Sequence, residues 1–135
     1  MKMAGMTRTI RSLALSAGLA FGVLEPIAAQ AQTDAPAAKP AYFVAEYEVI
    51  DREGMKPYSA QVQSTFEPYG GRFVVRGGAV TSLEGEPVKG GLVVIAFGSV
   101  EKAKAWYESP AYGKIRPLRW KSARTRVYIV EGAAP

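Results

Sequence analysis

RFVVRGG (Arg72–Gly78), followed by VVIAFGSVEKAKAWYESPAY (Val93–Tyr112), decides the fold of this chain. The first stretch is short, rich in β-branched residues and closed by two glycines, which predicts a strand that ends in a turn. The second opens on a continuous apolar run, which is typical of a strand covered on both faces. It continues through Ser99, a residue type preferred at helix N-caps, into apolar positions spaced three or four residues apart. Together the two stretches predict strand, strand and helix, in that order.

The sequence on either side completes the pattern. Alternating apolar residues predict a first strand over Ala41–Ile50, and an apolar stripe with a helical period predicts a helix over roughly Met55–Glu67. Towards the C-terminus, Ser109-Pro110 begins a short helix that is interrupted or kinked at Pro117, and Thr125–Val130 is the last predicted strand. The resulting order, βαββαβ, indicates an α+β, ferredoxin-like fold with an antiparallel sheet.

The N-terminus has the composition of an export signal. Lys2, Arg8 and Arg11 give it a positive start, Ser12–Leu24 is apolar, and Ala29-Gln30-Ala31 supplies a small-x-small cleavage pattern. The apolar segment is shorter than the ~20 residues that a membrane-spanning helix requires. We therefore predict a cleaved signal peptide and a periplasmic or secreted protein. An uncleaved membrane anchor and a misassigned start codon are the alternatives.

The predicted organisation is a signal peptide at residues 1–31, a flexible leader at 32–40 and one ferredoxin-like domain at 41–132. The whole chain has 17 basic and 12 acidic residues, a net charge of +5. Removal of the signal takes away three basic residues and one acidic residue, so the mature charge falls to +3. So small a charge does not indicate nucleic-acid binding. We also expect no stable membrane association once the signal is cleaved.

Two residue types are absent from the sequence, and both absences restrict its chemistry. The chain has no cysteine, which excludes disulfides, thiolate nucleophiles and zinc–thiolate sites. It has no histidine, which excludes Ser-His-Asp catalysis and histidine-ligated haem. We therefore expect no metal site and no cofactor, and any acid–base chemistry falls to carboxylates, tyrosines, lysines or water.

Several short motifs recur at the spacing of a known bacterial family. They are Tyr69-Gly70-Gly71-Arg72, Val75-Arg76-Gly77-Gly78, Leu83-Glu84-Gly85, Ala105-Trp106-Tyr107, Ser109-Pro110 with Tyr112, Arg116-Pro117-Leu118-Arg119 and Val130-Glu131-Gly132. On these motifs the chain resembles the domain of unknown function 1330 family from Tyr42 to Gly132, and it departs at Gly98, where a proline is expected. The resemblance implies the dimeric α/β-barrel superfamily, whose other branches include cofactor-free oxygenases, isomerases and haem enzymes. The family supplies no accepted catalytic residues.

The predicted sheet has a second face that is not polar enough to stand in water. In this fold two helices cover one face, whereas Tyr42, Val44 and Val74 are predicted on the other, beside several charges. Burying apolar surface against a second copy contributes about 25 cal/mol per Å². We therefore predict a homodimer in which two sheets meet.

Arg76 is the first candidate for contact with a ligand. It ends a predicted strand and precedes two glycines, which let a ligand approach the backbone closely. Its guanidinium can hold a carboxylate through two hydrogen bonds; the alternative is a structural ion pair with Glu46, Glu48 or Glu84. Glu84 is itself the best-placed carboxylate for proton transfer, because it lies on the glycine-flanked loop after Arg76, although a loop glutamate is usually solvated.

An aromatic set on predicted helix faces and turns supplies the other candidates: Tyr58, Tyr69, Trp106, Tyr107 and Tyr112. These side chains can line a pocket for a planar organic molecule, and the phenols offer hydrogen bonds. The alternative is that they pack the core or a lid. Arg116, one turn beyond Tyr112, either points into the same pocket or caps the second helix region.

Two functions follow from these observations. The first is an exported homodimer that binds a small organic ligand without catalysis, because no nucleophile–base pair converges in the sequence. The alternative is a cofactor-independent enzyme of the isomerase or oxygenase type, acting on a small organic acid or an aromatic molecule. In that case Arg76 orients the anion and Glu84 or a tyrosine moves a proton, an expectation that rests on kinship of fold.

Overall fold

The computed structural model of the protein describes residues 36–135, together with Gly18 and Gly22. The predicted export signal, apart from those two glycines, and the first part of the predicted leader lie outside the described residues. Residues 36–40 have no regular secondary structure, but the carbonyl of Pro40 accepts a hydrogen bond of 2.7 Å from the amide of Gly132. None of the described helices is long and apolar enough to cross a membrane.

Four strands and three α-helices make up the described domain. In chain order they are β1 (Ala41–Val49), α1 (Arg52–Phe66), β2 (Arg72–Arg76), β3 (Gly91–Phe97), α2 (Val100–Tyr107), α3 (Pro110–Ser122) and β4 (Ala123–Glu131), with a 3₁₀ turn (Glu67–Tyr69) after α1. The sheet order is β2-β3-β1-β4, and each neighbouring pair is antiparallel. This confirms the predicted α+β, ferredoxin-like architecture, in which α2 and α3 together take the place of the second helix.

Two of the helices are longer than the sequence predicts. α1 begins at Arg52, three residues before its predicted start, because the side chain of Asp51 accepts a hydrogen bond of 3.0 Å from the Gly54 amide and caps the helix. α3 continues through Pro117 to Ser122, although proline removes one helical hydrogen bond. Ser122 is buried, and its carbonyl accepts hydrogen bonds of 2.9 and 3.0 Å from the two amides that precede α1. These hydrogen bonds tie the last turn of α3 to the residues just before α1.

The core lies between the helices and the face of the sheet that they cover, which we call the inner face. Trp106 of α2 is fully buried there. Its ring packs edge-on against Phe43 with 5.0 Å between the centroids and stacks on Phe97 at 5.4 Å. The indole Nε1 donates a hydrogen bond of 3.0 Å to the hydroxyl of Thr65, so the polar atom of this buried side chain has a partner.

The opposite, outer face of the sheet combines apolar side chains with exposed ion pairs. Tyr128 and Val130 of β4 are 42% and 46% exposed, and Val94 of β3 is half-buried. On the same face Arg126 binds the carboxylate of Glu46 through two hydrogen bonds of 2.8 and 3.1 Å. Exposed ion pairs of this kind contribute little to stability. Tyr128 and Val130 therefore leave part of the outer face apolar and exposed in the described domain.

Candidate functional site

A cleft of ≈250 Å³ lies between α1 and the inner face of the sheet, and we call it the α1 cleft. Most of its lining is apolar: Phe43, Ala45, Val49, Met55, Val62, Phe73, Gly77, Val93 and Ile95. Four further lining side chains carry polar atoms: Tyr47, Tyr58, Ser59 and Arg76. No carboxylate belongs to this lining, so Arg76 supplies its one formal charge. Elsewhere in the described residues, no three Asp or Glu side chains are grouped so as to hold a metal ion.

Arg76 reaches the α1 cleft because β2 contains a β-bulge. Phe73 pairs with Ile95 and Arg76 pairs with Val93, so three steps along β2 match two steps along β3. Strict alternation would turn Arg76 away from the face that Phe73 occupies. The extra residue, Val74, therefore brings Arg76 onto the inner face, where Phe73 already lies. The guanidinium carbon then lies 4.7 Å from the centroid of the Phe73 ring, in a cation–π contact.

The ion pair considered as the alternative for Arg76 is not formed among the described residues. Glu46 and Glu48 each pair with an arginine of β4, and Glu84 is exposed on the loop between β2 and β3. Within this part of the chain, no carboxylate oxygen comes within 4.0 Å of the Arg76 nitrogens. The guanidinium is therefore free to bind a partner from outside the domain.

Tyr47 of β1 also lines the α1 cleft, and sequence patterns alone do not single it out. A Cβ atom on Gly91 would lie 2.6 Å from the Tyr47 hydroxyl oxygen, and one on Gly77 would lie 3.0 Å from it. The phenol therefore lies over the base of the β2–β3 loop, which a hydrogen bond of 2.9 Å from the Gly77 amide to the Leu92 carbonyl closes. The feature that would have identified Tyr47 is its pairing with a glycine on β3, and this pairing is visible only once the strand register is known.

Tyr58 of α1 lines the cleft, but its hydroxyl forms a hydrogen bond with another side chain of the protein. The hydroxyl oxygen lies 3.1 Å from that of Tyr112 on α3, and the contact is buried. Burial raises the pKa of Tyr58, and the neighbouring Tyr112 phenol raises it further. Burial also raises the pKa of Tyr112, although the nearby Arg119 opposes the effect. Both phenols are therefore neutral hydrogen-bonding groups at neutral pH.

The other aromatic candidates and Arg116 lie away from the α1 cleft. Trp106 and Tyr112 are fully buried, as in the core-packing alternative considered for them. Tyr107 and Arg116 lie together: the guanidinium carbon is 4.8 Å from the ring centroid, and Arg116 Nη1 donates a hydrogen bond of 3.1 Å to the Tyr107 carbonyl. Tyr69, in the turn after α1, is half-buried against the core. The cleft thus brings together two of the eight candidate residues and leaves the others elsewhere.

One protein family covers most of this domain. Its model, described as a domain of unknown function (DUF1330), matches residues 40–133. The chain belongs to the DUF1330 family. This confirms the resemblance inferred from the short motifs, all of which lie inside the matched range. The family's description assigns no activity.

Solved structures share the fold. SnoaB from Streptomyces nogalater, described as a cofactor-independent oxygenase, is 12% identical with a TM-score of 0.53, over 71% of this chain and 95% of that one. RPA0582 from Rhodopseudomonas palustris, described as a protein of unknown function, is 17% identical with a TM-score of 0.52, over 72% and 85% of the two chains. A methylated RPA0582 structure, also 17% identical, gives 0.55 over 73% and 84%. At these identities the likeness establishes the fold alone. No curated protein matches the chain.

Proposed function

We propose that this protein binds a small organic molecule in the α1 cleft and does not convert it chemically. The observation that carries the proposal is the cleft itself, an apolar hollow with a few polar groups in its lining. Small-molecule sites in proteins share this composition. Its ≈250 Å³ is less than the ~300–1,000 Å³ of sites for drug-sized ligands, so the ligand is smaller than those.

The polar groups of the cleft favour binding over catalysis. A general base works best when it exchanges a proton near neutral pH, and carboxylates and imidazoles are the usual groups for this task. The cleft lining contains neither. Burial raises the pKa of Tyr58, which keeps that phenol protonated. The cleft thus offers shape, hydrogen bonds and one positive charge, which are the requirements of a binding site.

Thermal-shift screening with small organic acids and aromatic compounds tests the proposal. A ligand of the native state stabilises it by RT ln(1 + [L]/Kd), so the melting temperature rises with ligand concentration. Ser59 lines the cleft, so Ser59→Trp fills it, whereas Ser64→Trp places the same side chain on an exposed position of the same helix that is not part of the lining. We expect stabilising compounds for the wild type and for Ser64→Trp, and none for Ser59→Trp. Absence of any stabilising compound for the wild type, or equal stabilisation of all three proteins, would contradict the proposal.

A cofactor-independent enzyme of the oxygenase or isomerase type is the second candidate. One geometric observation favours it: Arg76 lines a hollow between the sheet and α1, where it could orient an anionic substrate. SnoaB, which shares the fold, is described as a cofactor-independent oxygenase. Oxygen uptake and mass spectrometry with each stabilising compound distinguish the two functions. We expect no uptake and unchanged compound; turnover that Arg76→Met abolishes would support the enzyme instead.

We further propose that the protein acts as an exported homodimer. The uncovered outer face supports the dimer, because Tyr128 and Val130 expose apolar surface that a second copy would bury. The N-terminal sequence supports export to the periplasm or the medium. We propose neither binding to nucleic acid nor stable membrane association after the signal is cleaved. N-terminal sequencing of the protein recovered from the periplasm tests the export. A chain that begins at Gln32 agrees with it, and one that retains Met1 does not.

A further inference from the structure

The α1 cleft has a polar end and an apolar end. Arg76 is the last residue of β2 and Gly77 begins the loop that follows, so both belong to the loop end of the cleft. The Tyr47 hydroxyl is at the same end, because a Cβ atom on Gly77 would lie 3.0 Å from its oxygen. Elsewhere the lining is apolar except for Ser59 and for Tyr58, whose hydroxyl is bonded to Tyr112. A ligand in this cleft therefore meets its strongest polar contacts at one end.

We propose that the ligand of the α1 cleft is a small monocarboxylate with an apolar body, whose carboxylate binds the Arg76 guanidinium and the Tyr47 hydroxyl. This inference rests on the proposed function, since it names the class of molecule that the cleft takes up. The planar fork of N–H groups on a guanidinium matches the two oxygens of a carboxylate. A phenol hydroxyl donates a further hydrogen bond. Among the described residues no carboxylate pairs with Arg76, and its guanidinium lies over the Phe73 ring, although the residue as a whole remains exposed.

The number of charges in the cleft lining limits the class of ligand further. Arg76 is the only charged residue in the lining. A second carboxylate on the ligand would be buried against apolar side chains with no opposite charge, which is costly. A cationic ligand would be repelled by Arg76. The volume of ≈250 Å³ suits a body of one ring or a short chain, smaller than a drug-sized molecule.

Calorimetric titration with matched acids and amides tests the inference. Benzoate and benzamide have nearly the same size and shape but differ in charge, as do phenylacetate and phenylacetamide. A hydrogen bond to a charged group changes affinity by about ten- to a hundred-fold. We therefore expect at least one of the two acids to bind the purified protein at least about ten-fold more tightly than its amide.

Three variants assign the difference to particular residues. Arg76→Met should lower the affinity for the acid by about ten- to a hundred-fold and leave the amide unchanged, and Tyr47→Phe should lower it by about two- to ten-fold. Arg72→Met is the matched control, because Arg72 is an exposed arginine of the same strand whose partner Ala96 lies on the outer face. It should change neither affinity. Circular dichroism establishes that each variant is folded.

The outcomes separate this inference from the proposed function. Equal affinities for acid and amide, or acid binding that survives Arg76→Met, would overturn the proposal that the ligand is a monocarboxylate. Either result would leave ligand binding in the cleft intact. Thermal-shift hits that are only neutral or cationic, with no binding of either acid, overturn it in the same way. Failure of all four compounds to bind, together with a screen that gives no hits, overturns both.

Discussion

Arg76 shows, at the scale of single residues, how a side chain reaches a site. Its place at a strand end before two glycines made it a candidate in the sequence, and it lines the α1 cleft. The bulge at Val74 that turns it there has no signal in RFVVR, since the residues of that stretch also suit a regular strand. The face that such a residue occupies depends on pairing with the next strand. Tyr47 carries no signal in the sequence for the same reason, because its glycine partner is known only from the register.

Gly90, at the far end of the β2–β3 loop, tests how closely this loop packs on β1. It has a φ of +82°, and a Cβ atom there would overlap the carbonyl oxygen of Tyr47. We expect Gly90→Ala to lower the free energy of unfolding by about 2–5 kcal/mol, from the left-handed backbone and the overlap together. Gly85→Ala is the control, since Gly85 has a φ of +75° with open space around it. It should cost about 1–2 kcal/mol in urea denaturation. Equal losses would mean that the loop does not pack on β1.

At the scale of secondary-structure elements, periodicity places the strands and helices but not all of their ends. The first and last strands, β1 and β4, differ from their predicted bounds by no more than two residues. The N-cap Asp51 and the buried Ser122 decide where α1 begins and α3 ends, and both act through contacts that a local pattern does not contain. Pro117 favoured an interruption, and tertiary packing outweighs it. The fold was therefore predictable in outline, and the helix ends were not.

The contact between Tyr58 on α1 and Tyr112 on α3 predicts how stability responds to alkaline pH. Burial raises the pKa of both phenols above the value of about 10 for an unfolded tyrosine. The unfolded chain then loses these protons at a lower pH than the folded chain does. The stabilisation from this pair is therefore constant below about pH 10, and the free energy of unfolding should fall as the pH rises above that value.

Urea denaturation at a series of pH values from 8 to about 11 measures this slope. Tyr58→Phe removes one buried phenol and should make the slope shallower. Tyr128→Phe is the control, because that ring is 42% exposed on the outer face. A slope that is the same in Tyr58→Phe and the wild type would show that the Tyr58 hydroxyl is not held in a buried pair.

At the scale of the whole molecule, the two faces of the sheet have different surroundings. The inner face carries the helices and the α1 cleft, and the outer face is left for a second copy in the proposed dimer. The apolar alternation of β1 predicted a covered inner face. The cleft was beyond sequence analysis, since its lining comes from β1, α1, β2 and β3 and its shape depends on how they pack. Aromatic residues that suggested a pocket, such as Trp106 and Tyr112, fill the core instead.

Light scattering after size-exclusion chromatography tests the dimer. We expect the wild type to have twice the mass of one chain at micromolar concentration, because burial of the outer face favours association. Val94→Glu places a charge at the middle of that face and should give monomers. Val88→Glu makes the same change in the exposed loop between β2 and β3 and should stay dimeric. A monomeric wild type would contradict the dimer and leave the cleft unaffected.

In the proposed function, the α1 cleft is the place where this protein holds a small molecule. Amide chemical-shift mapping with the compounds that raise the melting temperature tests it most directly. We expect the largest shifts on the strands and helix that line the cleft, around Tyr47, Ser59, Arg76 and Val93. Shifts confined to the outer face, or spread over the surface with no maximum at the cleft, would contradict the claim.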